Sequence, residues 1–383
     1  MESDLERNTK SGIDHRRYGR LPPLRVALLF GATVVACLLF YHSSDPIKTL
    51  LNFSVSTSTS SSTATPTVNV VSPLPPPPPV KEESKLERVL KHAAMDDKKT
   101  VIITTLNGAW AAPNAVFDVF LESFRIGNQT EKLVDHLVVV ALDQKAYLRC
   151  LALHPHCYDL TSANKTDLSN DAYFMTPNYL DMMWRRIEFL HNVLELGYNF
   201  VFTDVDIVWF RNPFPRFYPD AEFQIACDYY GGNPLDMDNW PNGGFNYVKS
   251  SNSTVEFYKF WYESRITYPG LHDQDVFNQI KRDPKLTEIG LTFKFLDTNF
   301  FGGFCQPSRD FNSVCTMHAN CCLGLDSKVN DLKVLLEDWK KYMILPSEAR
   351  AWSIPQKCRY INPVYHPPVT PDEHVHEGEG DKN

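Results

Sequence analysis

An α/β fold, with a mainly parallel sheet covered by helices on both faces, is what the sequence predicts for residues 85–366. Three observations predict it. β-branched apolar runs alternate with stretches of helical apolar spacing, as in repeated strand–helix units. The runs are apolar throughout rather than by turns, as strands buried on both faces require. Asn107, Asp143 and Asp204 stand at the ends of successive runs, where such sheets gather ligand-binding groups.

Residues 100–106, TVIITTL, form the first strand and stop at Asn107-Gly108. Residues 114–126 carry Val116, Phe117, Phe120, Leu121 and Phe124 at helical spacing. Residues 133–142 read as the second strand, ending at Asp143. A longer helix covers 179–196 with Gly197 as its cap, and a third strand covers 199–205. Further on, 223–228 and 244–249 read as short strands, 254–265 and 273–281 as helices. Residues 291–296 read as a late strand and 331–341 as a late helix. No internal repeat is visible.

The chain has 383 residues, 43% apolar and 22% charged, which excludes a wholly disordered, collagen-like or polytopic membrane protein. The net charge of −8 leaves no sequence-wide basic field for nucleic acid, so no nucleic-acid partner is expected.

Ahead of the domain stand a cytosolic tail (1–24), a signal-anchor span (25–41) and a stem (42–84). Val26 to Tyr41 is 16 residues without a charge, a length that suits a thin early secretory membrane. Arg16, Arg17, Arg20 and Arg25 precede the span and Lys48 stands almost alone after it, so the N-terminus is cytosolic and the rest luminal. Of residues 54–79, 19 of 26 are Ser, Thr or Pro, a composition that stays extended as a tether. Sequons at Asn52, Asn128, Asn164 and Asn252 agree with a luminal face. Cys37 lies in the span, leaving eight cysteines, an even number, for an oxidising compartment; Cys150 and Cys157 are close enough to bridge a loop. Residues 367–383 read as a disordered acidic tail.

The most informative segment is 199–214, NFVFTDVDIVWFRNPF. Asp204 and Asp206 stand one residue apart, between an apolar strand and the apolar IVWF. Carboxylates at i and i+2 share one face of a strand, and a chain turning at the strand end can aim both at one cation. Hard Mg²⁺ or Mn²⁺ takes a few carboxylate oxygens together with phosphate oxygens of a ligand. Two carboxylates this close repel each other, which a cation relieves. A solvated turn or helix-cap pair is the plainer reading.

FTDVDIVWFRNPF resembles the D-x-D segment of plant nucleotide-diphospho-sugar transferases, glycosyltransferase family 77, which includes arabinosyl- and xylosyltransferases of cell-wall polymers. The likeness extends through PNGGFNYVKS (241–250), HDQDVFN (272–278), FGGFC (301–305) and MHANCC (317–322), nearly the whole luminal block. It implies a GT-A-type Rossmann-like fold, a UDP-sugar donor, a divalent cation (Mn²⁺ or Mg²⁺) and retention of anomeric configuration. The expected activity is transfer of arabinose, xylose or galactose to a cell-wall polysaccharide or glycoprotein acceptor by a type II Golgi membrane protein.

The resemblance also implies roles for residues. Asp206 is the stricter metal ligand, Asp204 shares metal and ribose contacts, and His318 completes the metal set. Asp273, Gln274 and Asp275 form the catalytic set, with one carboxylate on a sugar and Gln274 near the anomeric carbon; helix capping is the other reading of Asp273 or Asp275. Asn242, Gly243 and Gly244 allow close backbone approach and offer an amide to the donor sugar, or make an ordinary turn. Arg186 suits the diphosphate, with Arg185 toward solvent. Lys328 adds positive charge there, and Thr105 and Asn107 are candidate uracil or ribose contacts. Two competing readings are a non-catalytic luminal sugar-binding protein that keeps the fold, and a tethered phosphohydrolase, which needs more metal-ligating His and Asp.

Overall fold

Residues 83–95, 99–160, 175–345 and 352–358 are described by the computed structural model. The expected membrane span, nearly all of the stem, the acidic tail and the sequons at Asn52 and Asn164 lie outside them. Among the described residues no helix is long and apolar enough to cross a membrane.

The helices are α1 (Lys85–Ala93), α2 (Val116–Ile126), α3 (Gln144–Leu153), α4 (Pro177–Glu195), α5 (Asn252–Ser264), α6 (Asp273–Ile280), α7 (Pro284–Ile289) and α8 (Leu325–Ile344). The strands are β1 (Thr100–Leu106), β2 (Leu137–Ala141), β3 (Cys157–Asp159), β4 (Asn199–Thr203), β5 (Ile207–Trp209), β6 (Phe223–Tyr229), β7 (Trp240–Val248), β8 (Phe293–Phe295), β9 (Phe301–Gly303) and β10 (Thr316–His318). Seven strands form the main sheet in the order β3-β2-β1-β4-β7-β6-β8. The apolar runs are buried on both faces, as their composition requires. On β1, Val101 and Ile103 join the core built with α1, α4, α5 and α6, whereas Ile102 and Leu106 join the core built with α2 and α8. Successive side chains of a strand point to opposite faces, so one run feeds both layers.

The sheet is parallel from β3 to β4 and again between β6 and β8. The pairs β4–β7 and β7–β6 are antiparallel, a departure from the uniform strand–helix alternation of the sequence reading. Only a loop separates β6 from β7, and a loop without a crossover helix returns the chain antiparallel. A second departure lies at 133–142, where polar Asp135 and His136 interrupt the apolar run. Glu131–His136 is a 3-10 helix, and the strand starts at Leu137. The late helix is longer than its reading and starts directly after Gly324, whose φ of 85° only glycine adopts without strain. Asp143, expected among the ligand groups, is the N-cap of α3 and accepts the Ala146 N–H at 2.9 Å.

After β4 the chain leaves the main sheet. β5 joins a small sheet of order β5-β10-β9, with β10 antiparallel to β5 and parallel to β9. Disulfides Cys305–Cys321 and Cys322–Cys358 brace the segment after β10, and Cys150–Cys157 closes the loop expected for that pair. Cys227 and Cys315 are free and buried, so the even count of eight does not mean four bridges.

Candidate active site

The site forms where β4 ends. Its apolar strand delivers Asp204 to the sheet edge, and a tight turn, closed by the Ile207 N–H on the Asp204 carbonyl at 3.2 Å, brings Asp206 beside it. Pairing of His318 with Ile207 across β10 and β5 then sets the late histidine against the turn. His318 Nε2 lies 3.1 Å from Asp206 Oδ1 and 3.9 Å from Asp204 Oδ2. Ligand atoms of the three residues all lie within 4.8 Å of one another. Neighbouring ligands of one octahedral cation stand about 3 Å apart at hard-metal bond lengths. Asp206 Oδ1 is buried and has no hydrogen-bond donor, although Lys328 Nζ donates to Oδ2 at 2.6 Å. A buried, donor-less carboxylate oxygen facing an imidazole and a second carboxylate suits a divalent cation, which these three residues could hold.

The electrostatics separate the acidic pair. Burial opposes ionisation of Asp206, but the charges of Lys328 and His318 outweigh it and hold the carboxyl well below the usual range. Burial pushes Asp204 up; Arg186 pulls it back, and the Asp206 charge adds to the rise.

Arg186, on α4, is 4% exposed. One of its terminal nitrogens donates to Asp204 Oδ1 at 3.0 Å and the other to Asp273 Oδ2. Expected at a diphosphate, its guanidinium instead ties the two acidic motifs together. For Asp273, burial opposes ionisation, yet Arg186 and then His272 prevail and hold the carboxyl down to about 2.

Capping of α6 falls to neither aspartate. His272 is the N-cap, its Nδ1 accepting the Gln274 N–H at 3.3 Å, which leaves Asp273 for Arg186. Asp275 is turned toward His272 Nε2 at 3.3 Å and is 42% exposed, apart from the cluster. Burial lowers the His272 pKa, but the neighbouring carboxylates of Asp273 and Asp275 raise it on balance.

The Asn242–Gly244 segment is a local departure from β-pairing. The pairs Ile225–Asn246 and Cys227–Pro241 enclose one residue on β6 and four on β7, so the turn bulges from the ladder. Its amides, expected to face a sugar, are used internally: the Gly243 N–H donates to Gln274 Oε1 at 3.0 Å and the Gly244 N–H to Asn242 Oδ1 at 2.9 Å. Gly244 faces the acidic turn, and the Asp204 N–H donates to its carbonyl at 2.6 Å. A Cβ there would lie 2.5 Å from Asp204 Oδ2 and 2.6 Å from His318 Cε1. Gly244→Ala is therefore expected to weaken Mn²⁺ affinity by about 10–100-fold, the loss typical when support of a metal ligand is disturbed. A wild-type Mn²⁺ titration in that variant would show that the turn has room to spare.

Lys328, at the start of α8, also lies over the Trp110 ring at 5.3 Å, which brings the β1–α2 loop to the acidic turn. Asn107 is buried, and its Oδ1 accepts the Trp110 N–H at 3.0 Å. Thr105 is half-buried at the carboxyl end of β1 opposite Val140. Arg185 pairs with Asp181 at 2.9 Å on α4.

Sequence reasoning missed Asp228 and Asn320. Asp228 accepts from the carboxamides of Asn242 at 2.9 Å, Gln274 at 2.9 Å and Asn320 at 2.8 Å. A carboxylate at the end of an apolar strand, the signal that found Asp204, was present at β6 as well.

Comparison with known proteins adds four findings. Residues 132–332 match the family model described as nucleotide-diphospho-sugar transferase. An uncharacterized protein of Arabidopsis thaliana, At4g15970, is 50% identical over 279 residues, 72% of this chain and 73% of that protein. The UDP-D-xylose:L-fucose alpha-1,3-D-xylosyltransferase 3 of the same plant is 26% identical over 185 residues, 42% of this chain and 46% of that protein. Among solved structures, mouse xyloside xylosyltransferase 1 in its apo form aligns with 58% of this chain and 98% of its own at 17% identity and a TM-score of 0.36.

Proposed function

Given that the chain belongs to the nucleotide-diphospho-sugar transferase family and is a glycosyltransferase, we propose that it is a metal-dependent retaining enzyme. It would move arabinose, xylose or galactose from a UDP-sugar to a cell-wall polysaccharide or glycoprotein. The observation that carries the reading is the donor-less Asp206 Oδ1 facing His318 beside Asp204.

Asp204, Asp206 and His318 would hold Mn²⁺ or Mg²⁺. A bound divalent cation supplies Lewis-acid neutralisation of a diphosphate leaving group. Lys328 stands at the same turn as a further positive charge. Arg186 donates to both Asp204 and Asp273 and favours their charged forms, so two motifs act as one wall of the site. Gln274, held from both ends of its carboxamide, presents a neutral polar side chain rather than a free nucleophile. That favours displacement on one face of the sugar over a covalent double displacement.

Donor hydrolysis by the full chain tests the reading. With Mn²⁺, release of UDP from UDP-arabinofuranose, UDP-xylose or UDP-galactose is expected, and it should stop on addition of EDTA. Equal rates with and without chelator would remove the metal from the mechanism.

We also place the catalytic domain in the Golgi lumen, tethered by residues 25–41. The basic flank before the span supports this, as do the exposed asparagines of two sequons, Asn128 and Asn252. In sealed microsomes, protease is expected to spare the 85–366 block until detergent is added. Digestion without detergent would reverse the orientation.

A further inference from the structure

Asp228 is the place where three separate motif segments meet. The pairs Cys227–Pro241 and Tyr229–Trp240 enclose Asp228 on β6 and nothing on β7, a one-residue bulge. Bulges re-aim a side chain out of the ladder, and this one aims a carboxylate at three carboxamides. Oδ1 accepts from Asn242 and Asn320, and Oδ2 accepts from Gln274. An ionised carboxylate only accepts, so each amide must turn its NH₂ toward Asp228 and its oxygen away. Each oxygen then takes a backbone N–H: Asn242 that of Gly244, Gln274 that of Gly243, and Asn320 that of Cys305. One charge thus sets the rotamer and the flip of all three carboxamides.

We propose that Asp228 is a positioning residue for sugar transfer, holding Gln274, the Asn242–Gly244 turn and Asn320 in one register against the acidic pair. The assignment rests on the glycosyltransfer reading of the site. An asparagine at 228 keeps the shape but offers one acceptor oxygen and an NH₂. If its oxygen serves Asn242 and Asn320, its NH₂ faces the Gln274 NH₂. Gln274 must then flip, and its own NH₂ meets the Gly243 N–H. If the oxygen serves Gln274 instead, Asn242 and Asn320 lose their acceptor. Every arrangement moves at least one group that now faces the site.

The full-length chain is assayed for UDP binding with Mn²⁺ by calorimetry, and for UDP-sugar hydrolysis. Asp228→Asn is expected to leave the Kd for UDP within about threefold and to lower kcat about 10²-fold, the loss a displacement of about 1 Å can cause. Adding Gln274→Ala to Asp228→Asn should lower kcat by much less than the product of the two single losses, because part of the effect of Asp228 acts through Gln274. A parallel loss of UDP binding and kcat, or losses that multiply, would overturn the assignment in favour of a merely structural role. Asp228→Ser, which removes the carboxylate without crowding, serves the same comparison if the asparagine variant does not fold. A crystal structure of Asp228→Asn gives a readout free of turnover. Gln274 flipped from Gly243, or Asn242 and Asn320 turned from residue 228, supports the assignment; all three carboxamides in place refutes it. Should the wild type hydrolyse no UDP-sugar, the failure belongs to the transfer reading, and the structure of the variant alone decides whether Asp228 sets the network.

Discussion

Asp206→Asn is expected to abolish Mn²⁺-dependent turnover, by more than about 100-fold, while the protein stays folded. The lower bound is the loss seen when even an outer partner of a metal ligand is removed; here the proposed ligand itself is neutralised. The fold should survive because asparagine keeps the shape of the side chain and one oxygen that can face Lys328. In the wild type, Oδ2 has Lys328 at 2.6 Å, but Oδ1 is buried without a donor. The amide forfeits the pairing with Lys328 and His318, a moderate loss of stability, but it keeps the side chain's shape and leaves Lys328, 17% exposed, close to solvent. The measurements are a Mn²⁺ titration by calorimetry, UDP release and thermal unfolding. Undiminished turnover by a folded Asp206→Asn protein would sink the metal assignment.

Arg186→Met should damage both stability and activity. Removing the cation leaves Asp204 and Asp273 facing each other's field, Asp273 being 1% exposed. Breaking a buried ion pair from one side costs about 3–5 kcal/mol, because the remaining charge is left uncompensated. The loss should depend on pH. In the wild type, Asp273 is held from its ordinary 3.8 down to about 2. A depressed carboxyl contributes stability that is present above its unfolded pKa and is lost as pH falls through the folded one. The shift corresponds to roughly 2 kcal/mol. Without Arg186, only His272 opposes burial and the carboxyl rises, so the variant loses less on protonation. The gap between variant and wild type should be largest near pH 7 and narrow between about pH 4 and pH 2. Urea unfolding across this range reads the gap directly. A difference that stayed constant with pH would show that lost packing, not charge pairing, accounts for the variant.

Several features were legible because they are local. The run TVIITTL announced a strand buried on both faces, and NFVFTDVD announced an acidic pair at a strand end. The D-Q-D and T-M-H segments were likewise visible as motifs. Each depends on a few neighbouring residues and on a period of two or 3.6, which sequence displays directly.

What the tertiary structure decided is which motif touches which. Lys328 meets Asp206 across 122 positions, and Arg186 meets Asp273 across 87. Strand order sets those meetings, and strand order follows from burying apolar faces together, not from any spacing along the chain. Antiparallel β7 places the Gly244 carbonyl against Asp204, and β10 joining β5 places His318 against Asp206. The bulge at Asp228 is set by pairing of β6 with β7, so a single strand read alone carries no sign of it. Asp143 and His272 teach the same point from the other side. Their types suited a ligand site, yet the nearest orphan N–H groups of a helix took them as caps. The sequence by itself determined the fold class, the acidic turn and the candidate ligands, whereas the roles of Arg186 and Asp228 exist only where sheet order and bulges bring distant polar groups out of water together.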